Sequence, residues 1–97
     1  MQENAEEAAG LLKSLAHPSR LMVLCALVQR EHTAGELEEL TGLSQSAISQ
    51  HLARLREAGM VATRRDAQRI YYSLVRTEVR SVLETLHNLY CPEVLEK

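Results

Sequence analysis

The side chains of this 97-residue chain best suited to covalent or metal chemistry are two cysteines, Cys25 and Cys91, and four histidines at positions 17, 32, 51 and 87. Thiols can be oxidised, attack electrophilic sulfur, or ligate soft metals. The N-terminus is acidic and alanine-rich rather than basic and then apolar, so it does not read as a secretion signal, and cytoplasmic residence is expected. In a reducing compartment a structural disulfide is disfavoured, whereas a transient redox bond stays open. Cys25 stands inside the apolar run 21–28 and by itself reads as a small buried hydrophobe. Cys91 closes a helical stretch immediately before Pro92. A helix C-terminus disfavours a thiolate, so residue types alone predict no hyperreactive cysteine. His87 and Cys91 stand four apart, hence on one helical face, which is half of a metal site. No third ligand follows at a metal-binding spacing, so the pair reads as structural and no metal is expected. His51 reads as a packing or backbone-bonding residue rather than a ligand. No CxxC, phosphate-cradling glycine loop, nucleophile elbow or set of paired carboxylates is present, so neither an enzyme nor a cofactor is expected.

A second chemistry, recognition of nucleic acid, is written into residues 43–61, LSQSAISQHLARLREAGMV. Ser44 is a good helix N-cap and Gly59 suits a helix C-terminus. At about 100° per residue, Ile48, Leu52 and Leu55 share one face, with Gln45 and His51 at its edges. Ser46, Ser49, Gln50, Ala53 and Arg54 point elsewhere, forming a short polar surface almost free of acids. Hydroxyl and amide side chains can approach base edges and phosphates closely. The expected major-groove set is Ser44, Gln45, Ser46, Ser49, Gln50 and Arg54. Charge is segregated to match. Residues 44–76 hold six arginines (54, 56, 64, 65, 69 and 76) against Glu57 and Asp66, while the remainder holds five cations and eleven acids. A basic segment on an acidic body is the footprint of a phosphate-binding face, even though the net charge is −2.

The elements that must hold these residues are legible from periodicity. Residues 3–16 repeat Ala5, Ala8, Ala9, Leu12, Leu15 and Ala16 at helical spacing, with more apolar surface than a lone arm needs. Pro18 begins a second helix, 18–30, whose expected buried stripe is Leu21, Leu24, Cys25 and Val28. Thr33 and Glu36 form a capping box for a short helix, 34–40, with Leu37 and Leu40 expected inward. Thr41-Gly42-Leu43 is a tight turn, and two helices joined by a short glycine-containing turn form a helix-turn-helix. Residues 60–65 and 69–75 alternate as a hairpin with its tip at Asp66-Ala67-Gln68, placing Ile70, Tyr72 and Leu74 on one face. Arg64, Arg65, Gln68 and Arg69 would make it a wing reaching the DNA backbone or minor groove. Thr77 caps a last helix, 78–90, carrying Val79, Val82, Leu83, Leu86, Leu89 and Tyr90. Pro92 ends it. The first and last helices both carry surplus apolar surface and form the natural dimer interface, which would present two recognition helices to a palindromic site. The longest apolar run is eight residues, far short of the roughly 20 that span a bilayer, so no membrane partner is expected. The expected architecture is mainly α: one winged helix-turn-helix domain over residues 1–97, with four helices, a two-stranded hairpin and a fifth helix.

SLAHPSRLMVL at 14–24, the helix at 43–61 and RRDAQRIYYSL at 64–74 together resemble the ArsR/SmtB family of bacterial dimeric winged-helix repressors, over residues 8–91. The resemblance implies operator binding without ligand and release when an inducer binds. Where metal-sensing members carry cysteine ligands in the third helix, this chain has AGELEEL at 34–40, and of the last-helix metal ligands only His87 has a counterpart. One cysteine in the second helix and one closing the last, within NLYCP at 88–92, are similar to the thiol- and persulfide-sensing branch. That branch implies a disulfide or polysulfide bridge between Cys25 and Cys91 of one protomer when reactive sulfur species rise. The expected function is therefore a homodimeric repressor of double-stranded operator DNA, induced by a persulfide or related oxidant. Alternatives are a metal-responsive repressor using His87 and Cys91, an anti-repressor of virulence genes acting by competition, and a protein-interaction module with a degenerate DNA face.

Overall fold

The computed structural model describes residues 2–90. The elements run α1 (Gln2–Leu15), α2 (Pro18–Gln29), β1 (His32–Thr33), α3 (Ala34–Thr41), α4 (Gln45–Glu57), β2 (Val61–Asp66), β3 (Arg69–Leu74) and α5 (Thr77–Tyr90). The expected helices and hairpin all form, within a residue or two of their expected bounds. Thr77 is the first residue of α5 rather than a residue outside it.

The hairpin has a third strand that periodicity does not show. His32 pairs with Tyr72 and Thr33 with Tyr71, so β3 is the central strand of an antiparallel sheet ordered β1-β3-β2. Two residues are too few to display alternation, and Thr33 also serves as a helix cap. Its hydroxyl accepts from the Glu36 amide at 3.2 Å while the Glu36 carboxylate accepts from the Thr33 amide at 3.1 Å. The same carboxylate oxygen lies 3.2 Å from His32 Nδ1, and His32 Nε2 is 3.1 Å from the Ala26 carbonyl. The buried ring thus ties the end of α2 to the start of α3. The Thr33 amide, with help from His32 and Arg30, holds the Glu36 carboxyl below its ordinary range.

The two helices of the helix-turn-helix are stopped and started by named groups. Gly42, at φ +76°, ends α3 and donates to the Glu38 carbonyl at 2.9 Å. The Ser44 hydroxyl then caps α4 by accepting from the Ala47 amide at 3.1 Å. At the far end, Gly59 donates to the Arg56 carbonyl at 3.0 Å and Met60 to the Leu55 carbonyl at 2.9 Å. That double pattern is a Schellman motif, with buried Met60 as its hydrophobic partner. It turns the chain from α4 directly into β2. Gly59 sits at φ +74° with nothing within 4 Å of where a Cβ would stand, so a substitution there meets a conformational cost and no clash. Gly59→Ala is expected to destabilise the fold by about 1 kcal/mol. Thermal melting should register it as a fall of roughly 4–8 °C; an unchanged midpoint would mean that this turn is not formed as described.

The core gathers Val23, Leu24 and Leu27 from α2, Leu37 from α3, and Ile48, Leu52 and Leu55 from α4 around Met60, Val61, Leu74, Val79 and Leu83. Helix α2 is its centre, packed on α3, α4, α5 and β3. Its buried stripe is Val23, Leu24, Leu27 and Val28, and the expected members Leu21 and Cys25 are only half-buried. An all-apolar helix cannot announce which side faces inward; here α5 and the helix-turn-helix chose. Leu40, expected inward, is 60% exposed: Leu37 fills the core, and Leu40 lines a cavity open to solvent. Ile70 is exposed as well: β3 runs past the core there, and its cross-strand neighbour is Arg65. Of the α1 residues only Leu15 is buried. Among the described residues, no single helix is long and apolar enough to cross a membrane.

Candidate functional site

The ten residues expected to meet nucleic acid come from two segments joined by the Gly59 turn. Ser44, Gln45, Ser46, Ser49, Gln50 and Arg54 on or capping α4, and Arg64, Arg65, Gln68 and Arg69 on the hairpin, are all exposed, while Ile48, Leu52 and Leu55 anchor the opposite face of α4. His51 packs edge-on against His17 with ring centroids 5.3 Å apart. Partial burial, and then the neighbouring His17, Arg20 and Arg54, push it below the ordinary histidine range, so it adds no charge to the face at neutral pH. Of the packing and backbone-bonding roles expected of it, the ring contact with His17 is the packing one.

The four wing residues are not equivalent. Arg64 donates through Nε to Glu31 Oε2 at 3.3 Å and through Nη2 to Glu31 Oε1, and its guanidinium lies 4.7 Å from the Tyr71 ring centroid. Asp66 stands 3.9 Å from its Nη1. The Arg64 hydrogen bond holds the Glu31 carboxyl below its ordinary range, so the pair is charged at neutral pH. Arg65 and Arg69 have no carboxylate within ion-pair distance among the described residues. Glu31 and Tyr71 are participants that sequence reading missed. Thirty-three positions separate Glu31 from Arg64, and nothing local links them; only β1 pairing on β3 brings the end of α2 beside the wing. A phosphate meeting Arg64 would have to displace Glu31. Glu31→Gln is expected to tighten DNA binding about threefold at low salt, the gain fading as ionic strength rises. Fluorescence anisotropy with labelled duplex measures it, and weaker binding would show instead that the pair positions the wing.

The second feature is a pair of open cavities against α2 that share lining residues. One, of about 530 Å³, is lined in part by Met22, Cys25, Arg30, His32, Leu40 and His87. A smaller one, of about 250 Å³, lies between α2 and α5, walled by Leu21, Cys25, Leu86, His87 and Tyr90. Cys25 and His87 line both. Cys91 and Pro92 lie outside the described residues; Tyr90 is the residue before Cys91 in the chain. Arg80 of α5 donates to the Val28 carbonyl at the C-terminal end of α2, so the two helices flanking the cavity are also joined by a charge-assisted bond. Among the described residues, no three histidine, cysteine, aspartate or glutamate side chains are grouped to hold a metal ion.

A helix-turn-helix whose second helix shows hydroxyl, amide and arginine side chains, followed by an arginine-edged hairpin and packed on outer helices, defines the winged-helix class of DNA-binding transcriptional regulators. Comparison with known proteins narrows the class. The model for bacterial regulatory proteins of the arsR family matches residues 17–63. The HTH-type transcriptional regulator YgaV of Escherichia coli is 53% identical over 95% of this chain and 94% of its own length. The structure of reduced HlyU from Vibrio cholerae superposes with a TM-score of 0.89 at 49% identity, covering 94% of this chain and 96% of that one. The transcriptional repressor BigR from Xylella fastidiosa gives a TM-score of 0.86 at 43% identity, over 94% and 93% of the two chains. The chain belongs to the arsR family and is a transcriptional regulator rather than an enzyme.

Proposed function

We propose that the protein is a homodimeric repressor that binds double-stranded operator DNA and releases it when a persulfide or related oxidant joins Cys25 to Cys91. The observation that carries the sensing half is the smaller cavity between α2 and α5: Cys25 lies half-buried on its α2 side, and its α5 side ends in Tyr90, the residue before Cys91. The relatives lend two supports, one being named a transcriptional repressor and another having been described in a reduced form. HlyU is also named a transcriptional activator, which keeps the anti-repressor reading as an outcome of transcription assays.

Dimerisation follows from unspent apolar surface. Helix α1 buries only Leu15, packs the half-buried Leu11 on the core and leaves Leu12 57% exposed, and α5 leaves Leu89 68% and Tyr90 78% exposed. Apolar surface of this extent is stabilised by a second copy, and a twofold pairing sets the spacing of the two α4 helices. The chemistry balances in two steps. The Cys25 sulfur takes the outer sulfur of a persulfide R–S–SH, giving Cys25–S–SH and RSH. The Cys91 thiol then attacks the inner sulfur, closing the disulfide and expelling hydrogen sulfide. Helix α2 supports both α3 and α4, so tying it to the end of α5 shifts the recognition helices relative to the dimer axis. A coupling of about 1–3 kcal/mol suffices to change DNA affinity 5- to 150-fold.

Glutathione persulfide is expected to release wild-type protein from DNA in a mobility-shift assay and to leave Cys25→Ser and Cys91→Ser bound. Mass spectrometry of the treated wild type should show one intramolecular link. Normal release by both variants would refute the sensing mechanism while leaving the DNA-binding reading intact. Release by zinc but not by persulfide would assign the metal-responsive alternative.

A further inference from the structure

We propose that His87 forms a working pair with Cys25: the imidazole accepts the thiol proton and holds it while the Cys25 sulfur attacks a small sulfane-sulfur donor in the cavity between α2 and α5. The inference rests on the reading of Cys25 as the sensing thiol and adds the group that activates it. His87 is 7% exposed, and among the described residues neither of its ring nitrogens has a hydrogen-bond partner. A neutral imidazole carries one donor and one acceptor, and each left unmet in a buried site is destabilising. Native structures rarely carry that cost without a use for the group. Packing supplies no reason for it. Val79, Leu83 and His87 repeat every four residues along the buried face of α5, so an imidazole stands where the pattern asks for leucine or valine.

The surroundings offer this ring no competing partner. The other walls of the smaller cavity are Leu21, Leu86 and Tyr90, and no carboxylate lines either cavity. The neighbouring polar groups are engaged elsewhere: His32 with Glu36 and the Ala26 carbonyl, Arg80 with the Val28 carbonyl, and Arg30 with Glu36 at 3.6 Å. The step is balanced as follows. The Cys25 proton passes to a His87 nitrogen, and the thiolate attacks the terminal sulfur of R–S–SH. A sulfur–sulfur bond forms at Cys25 as the donor's own breaks, and the departing RS⁻ recovers the proton from the imidazolium. His87 is thus a proton-holding and positioning residue acting through Cys25.

The test uses Cys91→Ser protein, in which Cys25 is the one remaining thiol, and follows its alkylation by iodoacetamide by mass spectrometry from about pH 5.5 to about pH 9.5. With His87 present, reaction should persist below the ordinary thiol range of about 8.5. His87→Gln should slow it about tenfold near neutral pH and converge with the parent at the alkaline end. Superimposable profiles would overturn the pair. If His87→Gln does not fold, the His87 ring titration followed by NMR in wild-type and Cys25→Ser protein decides: a midpoint moved by removal of the thiol supports the pair, and an unmoved one overturns it. Persulfide-driven DNA release together with coincident profiles would leave the sensor reading standing and the pair refuted. Separated profiles without release would refute the sensor reading alone.

Discussion

Arg65→Ala combined with Arg69→Ala is expected to weaken binding of operator DNA roughly 30-fold at about 0.1 M salt and to lower the slope of log affinity against log salt by about two. The number follows from counterion release. Each phosphate neutralised contributes close to one unit of slope, and these two arginines are exposed at the wing tip with no carboxylate within ion-pair distance among the described residues. Their guanidinium groups are available to phosphate at no internal cost. Arg64→Ala should lose less, because Arg64 gives up Glu31 before it can serve DNA. Anisotropy titrations at four or five salt concentrations separate the outcomes. An unchanged slope in the double variant would remove the wing from the interface, and a fall in affinity without a fall in slope would mean that the arginines act by shaping the hairpin. The loss should be nearly the same on specific and unrelated duplexes, since phosphate contacts position a protein without reading sequence.

The second large effect is on the scaffold. Leu24→Ala is expected to cost about 3–4 kcal/mol of folding stability. Leu24 is wholly buried at the centre of α2, the helix against which α3, α4, α5 and β3 all pack. Truncation loses the transfer free energy of three carbons and leaves a void that four surrounding elements cannot all close. A domain of this size has a total stability of about 5–10 kcal/mol, so much of it would go. Urea denaturation should show the midpoint falling with little change in slope. A cost below about 1 kcal/mol would mean that α2 is not the central element. At the half-buried Leu21, which packs on the edge of the core and lines the cavity, alanine should cost markedly less.

Local rules made much of the molecule legible in advance. The Thr33–Glu36 capping box, the Ser44 cap, the left-handed Gly42 and Gly59 and the alternation on either side of Asp66-Ala67-Gln68 each involve groups within a few residues of one another. Their physical chemistry is complete within a short segment. The polar face of α4 was legible for the same reason: a helix of known pitch with Ile48, Leu52 and Leu55 on one side must show Ser46, Ser49, Gln50 and Arg54 on another.

What the tertiary structure alone decided involves partners distant in sequence. Periodicity could not orient α2, because a helix apolar on every side packs by whichever side its neighbours need, and α5 and the helix-turn-helix took Val23 and Leu27 and left Leu21 and Cys25 to the cavity. The strand at His32–Thr33 exists because β3 offers it an edge. The grip of Glu31 on Arg64 and the burial of His87 beside the Cys25 cavity likewise arise from elements brought together by the core. Hydrogen bonds within a turn are fixed by bond lengths and dihedral angles, whereas those between elements depend on which apolar faces meet, and that choice belongs to the packed chain as a whole.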